Sequence, residues 1–242
     1  MLSLRKNLGK AFPFSMTTLT DWNCQLLPSP WDEGRSPQGI ALALEGMYRQ
    51  LGISHFHLMP AFDPERESVS AFLHRTKRIQ EALSPHLLPA ISLQVGTAVS
   101  LSPSISDLRE LDQLLHRSTL CVSLPLCSYA DWIDQELNRL LFHHRLRLTF
   151  LSFEKAVILY PKEIIEKLLR IKNAAFQFSF RSLQETAVLS VIQTLLRERK
   201  TVLLGSEINT PEKICQYDLP YYLDCAKRFL GERDVRRLLS NR

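Results

Sequence analysis

Long apolar runs are missing from this 242-residue chain, whose uninterrupted hydrophobic stretches are only a few residues long. A bilayer needs ~20 in a row, so a membrane-spanning helix is excluded. The first 16 residues carry Arg5, Lys6 and Lys10, but the ~7–15-residue apolar core of a secretory signal does not follow them. The expected location is therefore cytoplasmic. Cys-x-x-Cys spacing is absent as well. Cys24, Cys121, Cys127, Cys215 and Cys225 are odd in number, which suits free thiols in a reducing compartment rather than a disulfide framework or a structural zinc site.

Three catalytic signatures are also missing. Without G-x-G-x-x-G after a strand, a dinucleotide fold has no support. Without G-x-S-x-G, neither Ser152 nor Ser206 sits on a nucleophile elbow. Without C-x5-R, no cysteine is set up as a phosphatase nucleophile. The balance of 30 Lys and Arg against 25 Asp and Glu gives a net charge of +5 and a pI near 9.0. The basic residues are dispersed. Their densest clusters, Arg5-Lys6, Arg197 to Lys200 and Arg236-Arg237, read as solvated helix faces, and nucleic acid is not an expected partner.

What is present is a soluble globular composition, 45% hydrophobic and 23% charged, too apolar for disorder. Short β-branched or aromatic segments alternate with stretches of helical period. Strands are expected near 19–27, 54–59, 90–95, 119–124, 146–151, 174–180 and 201–205. Helices are expected from Pro37 to Gly52 behind an N-cap at Ser36, from Glu65 to Leu83, after Ser106 or Asp107, from Ala130 to His143, from Pro161, over Leu183 to Arg199, and from Thr210-Pro211 towards Ser240. Val202 to Leu204 and Val157 to Leu159 have the consecutive apolar pattern of strands buried on both faces. About seven βα units with short connections predict parallel pairing. The fold expected is single-domain α/β: a barrel over residues 18–242 after an extension over 1–17, with an open doubly wound sheet as the alternative.

Chemistry in such a barrel collects where strands end. Asp21, Asn23 and Gln25 are two apart, so one strand face carries all three. Buried polar groups cost free energy unless partnered, which makes this stretch the leading site candidate. Asp32 and Glu33 lie in the loop behind it.

Asp21-Trp22-Asn23-Cys24-Gln25-Leu26-Leu27-Pro28 with Asp32-Glu33-Gly34 resembles the opening of polymerase-and-histidinol-phosphatase (PHP) proteins, above all the bacterial capsule-type tyrosine phosphatases: D-x-H-x-H-x-L-P, then D-D-G. Gly52-Ile53 through Met59-Pro60-Ala61 is similar to the G-[IV]-x-x-[IV]-x-T-P-H step. Val95-Gly96-Thr97-Ala98 is similar to G-x-E, and Val122-Ser123-Leu124 to [LIV]-E-[LFM]. Ser152-Phe153-Glu154-Lys155 follows A-H-P-E-R, Phe176-Gln177-Phe178-Ser179 follows Q-[IV]-N, and Ser206-Glu207-Ile208-Asn209 follows S-D-x-H. Leu238 to Arg242 resembles the family's closing L-x-x-N-P/R. The resemblance spans nearly the whole chain in order, and implies a distorted (β/α)7 TIM-like PHP barrel.

The departures carry the functional expectation. The resemblance implies a cluster of divalent metals, usually manganese, held by His, Glu and Asp ligands. The matching positions here are Asn23, Gln25, Ala61, Ala98, Ser123, Ser152, Glu207 and Asn209. Every His and both Glu are replaced, and Glu207 stands for an Asp. Neutral amides and methyl groups are poor donors for such ions, and without metal there is neither an activated hydroxide nor a Lewis acid. No cofactor is therefore expected, and the reading is a pseudophosphatase. Lys155 replaces the family Arg and would meet phosphate as a point charge. The resemblance also implies a partner, a bacterial tyrosine kinase or its phosphotyrosine tail, in capsule or exopolysaccharide synthesis. The alternative is an active metal-dependent phosphatase with a rebuilt site, using Asp21, Asp32, Glu33, Glu154 and Glu207 to hold a hard cation, and His55 or His57. His55 and His57 otherwise read as a satisfied pair in mid-strand. His143-His144 suits a helix C-terminus, Trp22, Trp31 and Trp132 read as packing residues, and Cys24 should face away from the polar row into helix packing.

Overall fold

The computed structural model describes residues 19–27 and 36–240. The proposed extension over 1–17, together with Trp31, Asp32 and Glu33, lies outside the described residues.

Helix α1 (Pro37–Leu51) shows how local signals set the frame. Ser36 caps it by accepting the Gly39 N–H at 3.1 Å, Pro37 opens it, and Gly52 closes it with φ 70°, where an L side chain would be strained. Its apolar stripe, Ile40, Leu44, Met47 and Leu51, is buried. This helix links β1 (Leu19–Cys24) to β2 (Ile53–Leu58), and the two strands pair in parallel. The chain continues through β3 (Ala61–Phe62), α2 (Val69–Leu83), β4 (Ser92–Val95), β5 (Ala98–Ser100), β6 (Thr119–Ser123), α3 (Asp131–Asn138) and β7 (Arg147–Leu151). It ends with α4 (Phe153–Leu159), α5 (Lys162–Leu169), β8 (Ala174–Ser179), α6 (Thr186–Arg197), β9 (Thr201–Gly205), α7 (Leu219–Leu230) and α8 (Glu232–Leu239). No helix among the described residues is long and apolar enough to cross a membrane.

All ladders are parallel, and strands neighbour one another in chain order: β1-β2-β4 in one sheet and β3-β5-β6-β7-β8-β9 in the other. The two sheets are one succession of seven positions. β2 runs into β3 after Met59-Pro60, and β4 into β5 after Gly96-Thr97. Bonds from Gly96 N to Leu58 O and from Ala98 N to Pro60 O, both 2.9 Å, stitch across the breaks. Past the strand ends, β9 meets β1: Glu207 N donates to Asn23 O at 2.8 Å, and Gln25 N to Ile208 O at 3.0 Å. This sequential order is that of a (β/α) barrel and removes the doubly wound alternative, whose strand order reverses at a switch point.

Several elements differ from expectation. β3 and β5 were unforeseen because Pro60, which has no N–H for the ladder, and Gly96 read as strand ends. The first strand stops at Cys24, short of Leu27. No α-helix follows Ser106 or Asp107. That stretch makes short 3-10 turns at Ile105–Asp107 and Leu111–Leu114, and Ser106 is buried with its N–H and hydroxyl both donating to Glu136 Oε2. The Glu65 helix starts later, at Val69 behind Ser68. Val157 to Leu159 closes α4 instead of forming a buried strand, with Ile158 and Leu159 exposed. Val202 to Leu204 is the buried strand expected, and Cys24 packs in the main core as foreseen.

The β9–β1 junction tolerates nothing larger than glycine at 205. A Cβ there would lie 2.6 Å from the Asn23 backbone nitrogen and 2.8 Å from its Cβ, and neither can swing aside. Gly205→Ala should therefore lower unfolding free energy by about 2 kcal/mol or more, read by denaturant titration. An unchanged midpoint would contradict the contact.

Candidate functional site

The strand-one polar row converges on the C-terminal ends of β7, β8 and β9. Asp21 and Asn23 are fully buried. Asn23 Nδ2 donates to Gln177 Oε1 at 2.9 Å, and the same oxygen accepts the Ser152 N–H at 2.8 Å. Gln177 Nε2 donates to Phe178 O at 2.7 Å, and the half-buried Gln25 reaches Asn23 Oδ1 at 3.4 Å. Asp21 Oδ1 accepts the N–H groups of Asn23 at 3.0 Å and Ser206 at 2.8 Å. Asp21 Oδ2 is buried without a hydrogen-bond partner among the described residues.

Two of the mouth residues, Ser152 and Glu207, sit in the left-handed region with φ 51° and 55°, a strained conformation for non-glycine residues that is found at functional sites. Glu207 Oε2 lies 3.3 Å from Lys155 Nζ. The buried Glu154 accepts the Ser179 N–H at 3.2 Å through Oε2, and the Glu207 carboxylate lies near it. Burial first, then the Glu207 charge, push Glu154 up to about 8, so its carboxyl holds its proton at neutral pH. Burial also raises Asp21 to about 6, against the pull of hydrogen bonds from Ser206 and Asn23. Tyr217, whose hydroxyl donates to Ser206 O at 3.2 Å, has its ionisation pushed far up by burial and by Asp21 and Glu207.

Of the expected site residues, the fold thus brings together Asp21, Asn23, Gln25, Ser152, Glu154, Lys155 and Glu207. Ala98 is buried against Met59, Cys121 and Leu151, an apolar patch. Ser123 ends β6, where its carbonyl accepts the Leu101 N–H. Ala61 and Asn209 do not join the network: Ala61 is exposed, and Asn209 accepts Lys213 Nζ at 2.7 Å in an exposed contact. Gln177 is the residue the expected site omitted. Its signal was a single amide between Phe176 and Phe178 on a central strand, where it must find partners. Among the described residues, no three of His, Cys, Asp and Glu group as ligands for one metal ion.

The histidines stand apart from this network. His57 is buried, stacked on Trp22 at 4.1 Å, with Nδ1 2.7 Å from His116 Nε2. Burial, with His116, Arg117 and His55 nearby, lowers it to about 3, so it is neutral. His55 is exposed and bonds Ser54 Oγ. Both histidines thus have partners, as expected of a satisfied pair in mid-strand.

No protein-family model and no curated protein matches the chain. Solved structures do. The chain is similar to the structure of YwqE from Bacillus subtilis and CpsB from Streptococcus pneumoniae, unique metal-dependent tyrosine phosphatases, with a TM-score of 0.67 and 17% identity over 92% of each chain. It is similar to histidinol phosphate phosphatase from Lactococcus lactis, complexed with zinc, L-histidinol and phosphate. There the TM-score is 0.58 and the identity 10%, over 90% of this chain and 94% of that one. The fold is that of a PHP barrel. At the mouth of this barrel, amides, the carboxyls of Asp21, Glu154 and Glu207, and one lysine occupy the ends of the strands.

The raised carboxyls set a pH dependence. Both Asp21 and Glu154 bind protons more tightly folded than unfolded, so the native state holds more protons and stability falls as pH rises. The window runs from the ordinary carboxylate range, 3.8 and 4.5, up to about 6 for Asp21 and about 8 for Glu154. Melting temperature should drop by several degrees between pH about 5.5 and about 8.5, and Glu154→Gln, which mimics the protonated form, should flatten the upper half of that slope. A profile that rises with pH would contradict the raised carboxyls of Asp21 and Glu154.

Proposed function

We propose that this chain is a non-catalytic, PHP-type homologue of the metal-dependent tyrosine phosphatases. It would bind a phosphotyrosine segment, such as a bacterial tyrosine kinase tail, in the cytoplasm during capsule or exopolysaccharide synthesis. The observation that carries the reading is the Asn23–Gln177–Ser152 network. The amide oxygens of Asn23 and Gln177 are committed to N–H donors of the protein itself. The donor set does not suit a cluster of dications: Asn23 and Gln25 contribute neutral amides, Ala61 and Ala98 nothing, and Glu154 holds a proton that a metal would have to displace.

Nor do the described residues offer an activated nucleophile. The Ser206 Oγ accepts the Ile208 N–H at 3.1 Å, and no histidine meets either mouth serine. What remains is a ligand-binding surface, with the half-exposed Lys155 as its cation. The partner class comes from the family resemblance and the likeness in fold.

One observation favours a second reading, an active phosphoesterase with a rebuilt site. Glu207 neighbours both Asp21 and Glu154, and among the described residues Asp21 Oδ2 and Glu207 Oε1 have no N–H or hydroxyl donor.

Calorimetric titration with a phosphotyrosine peptide and its unphosphorylated twin separates the readings. Saturable heat with the phosphopeptide alone, weakened about tenfold by Lys155→Ala, together with background turnover in manganese, is the expected outcome. Equal heats for both peptides would remove the ligand proposal. Turnover abolished by a chelator would establish the second reading.

A further inference from the structure

The end of the barrel opposite the mouth, where strands begin, carries a feature the proposed function does not use. Arg117 enters β6, Arg145 and Arg147 enter β7, Lys172 enters β8, and Arg199 and Lys200 enter β9. Sequence spacing scattered these residues; the fold collects them. Arg147, Lys172, Arg199 and Lys200 line one hollow of about 270 Å³ together with Thr119 and Thr201, and Glu198 is the one carboxylate among its lining residues. Lys200 Nζ is pinned on Ile171 O at 2.6 Å. None of the four cations makes a salt bridge among the described residues. Like charges gathered around one hollow repel each other unless an anion sits between them.

The backbone adds an independent observation. Arg117, Arg145 and Arg199 all have positive φ, 51°, 54° and 57°. After a helix this left-handed position normally takes glycine or asparagine. Arg145 and Arg199 follow helix ends directly and bring a strained backbone together with a positive charge. The chain keeps only 8 glycines in 242 residues, and at these strand-entry turns it places arginine instead. Arg117 is engaged, with its guanidinium over Trp22 at 5.2 Å; Arg147 and Arg199 are exposed.

We infer that this strand-entry hollow is a binding site for a compact polyphosphate anion, either a free inorganic chain or the phosphates of a nucleotide. Four cations from three consecutive turns match several phosphate groups better than one. Arginine forks pair with phosphate oxygens bidentately. The site is built from different residues than the mouth and does not depend on what the mouth binds.

The test is calorimetric titration of the full chain with tripolyphosphate, ATP and orthophosphate at one ionic strength. Tripolyphosphate should bind saturably, about tenfold or more tighter than orthophosphate. ATP equal to tripolyphosphate would mean that the phosphate chain alone is read, and ATP tighter would mean a nucleotide; either supports the site. Arg147→Ala and Arg199→Gly should each weaken binding about fivefold or more. Arg228→Ala, on α7 and outside the lining of the hollow, should change nothing. Arg199→Gly guards against a folding artefact, because glycine suits that backbone: its melting temperature should hold or rise while binding falls. Absence of saturable heat at about 1 mM ligand, unchanged affinity in both arginine variants, or binding confined to long nucleic acids would overturn the inference.

Discussion

A polar side chain drawn into a barrel must find its partners inside the barrel, and Asn23 meets that demand through Gln177. Their hydrogen bond of 2.9 Å joins the first strand to the next-to-last. Around it, Ser152, Ser206 and Glu207 dock onto the same two strands through backbone N–H groups. Each such bond contributes little net stability, but leaving any one buried group unpaired would cost ~1–3 kcal/mol. The junction of β1 and β9 therefore depends on a network that fails as a unit, and Gly205 is the residue that lets the two backbones approach.

The same network decides the chemistry at the mouth. The amide oxygens of Asn23 and Gln177 are satisfied by protein N–H groups, and Glu154, pushed up to about 8, is protonated at neutral pH. Lys155 adds a positive charge beside Glu207. On the proposed reading, such a mouth receives a ligand rather than neighbouring dications. The strand-entry end has the contrary character, with four cations and one carboxylate around a hollow. One barrel thus presents two chemically different ends.

Much of this was legible in the sequence. Period and punctuation located all seven long strands, and the spacing of Asp21, Asn23 and Gln25 marked the polar row. Local signals failed where tertiary context decides. Pro60 and Gly96 look like strand ends, yet the strands resume because their neighbours continue the ladder. Ile158 and Leu159 look like a buried strand, yet they end a helix with their side chains in solvent. The stretch after Ser106 has helical leucines, yet Ser106 is held by Glu136 in a short turn. Gln177 could not be ranked as a site residue because its partners are 154 and 25 residues away. The convergence of Arg147, Lys172 and Arg199 was hidden for the same reason.

The mouth's preference for a proton and amides over metal is the claim on which the functional account stands. It is tested most directly by elemental analysis of the full chain, purified without chelator from manganese-supplemented cells and compared with a variant in which Asn23 and Gln25 are histidine. The account predicts far less than one metal ion per native chain, with any gain confined to the variant. Two or more tightly held manganese ions per native chain would contradict it.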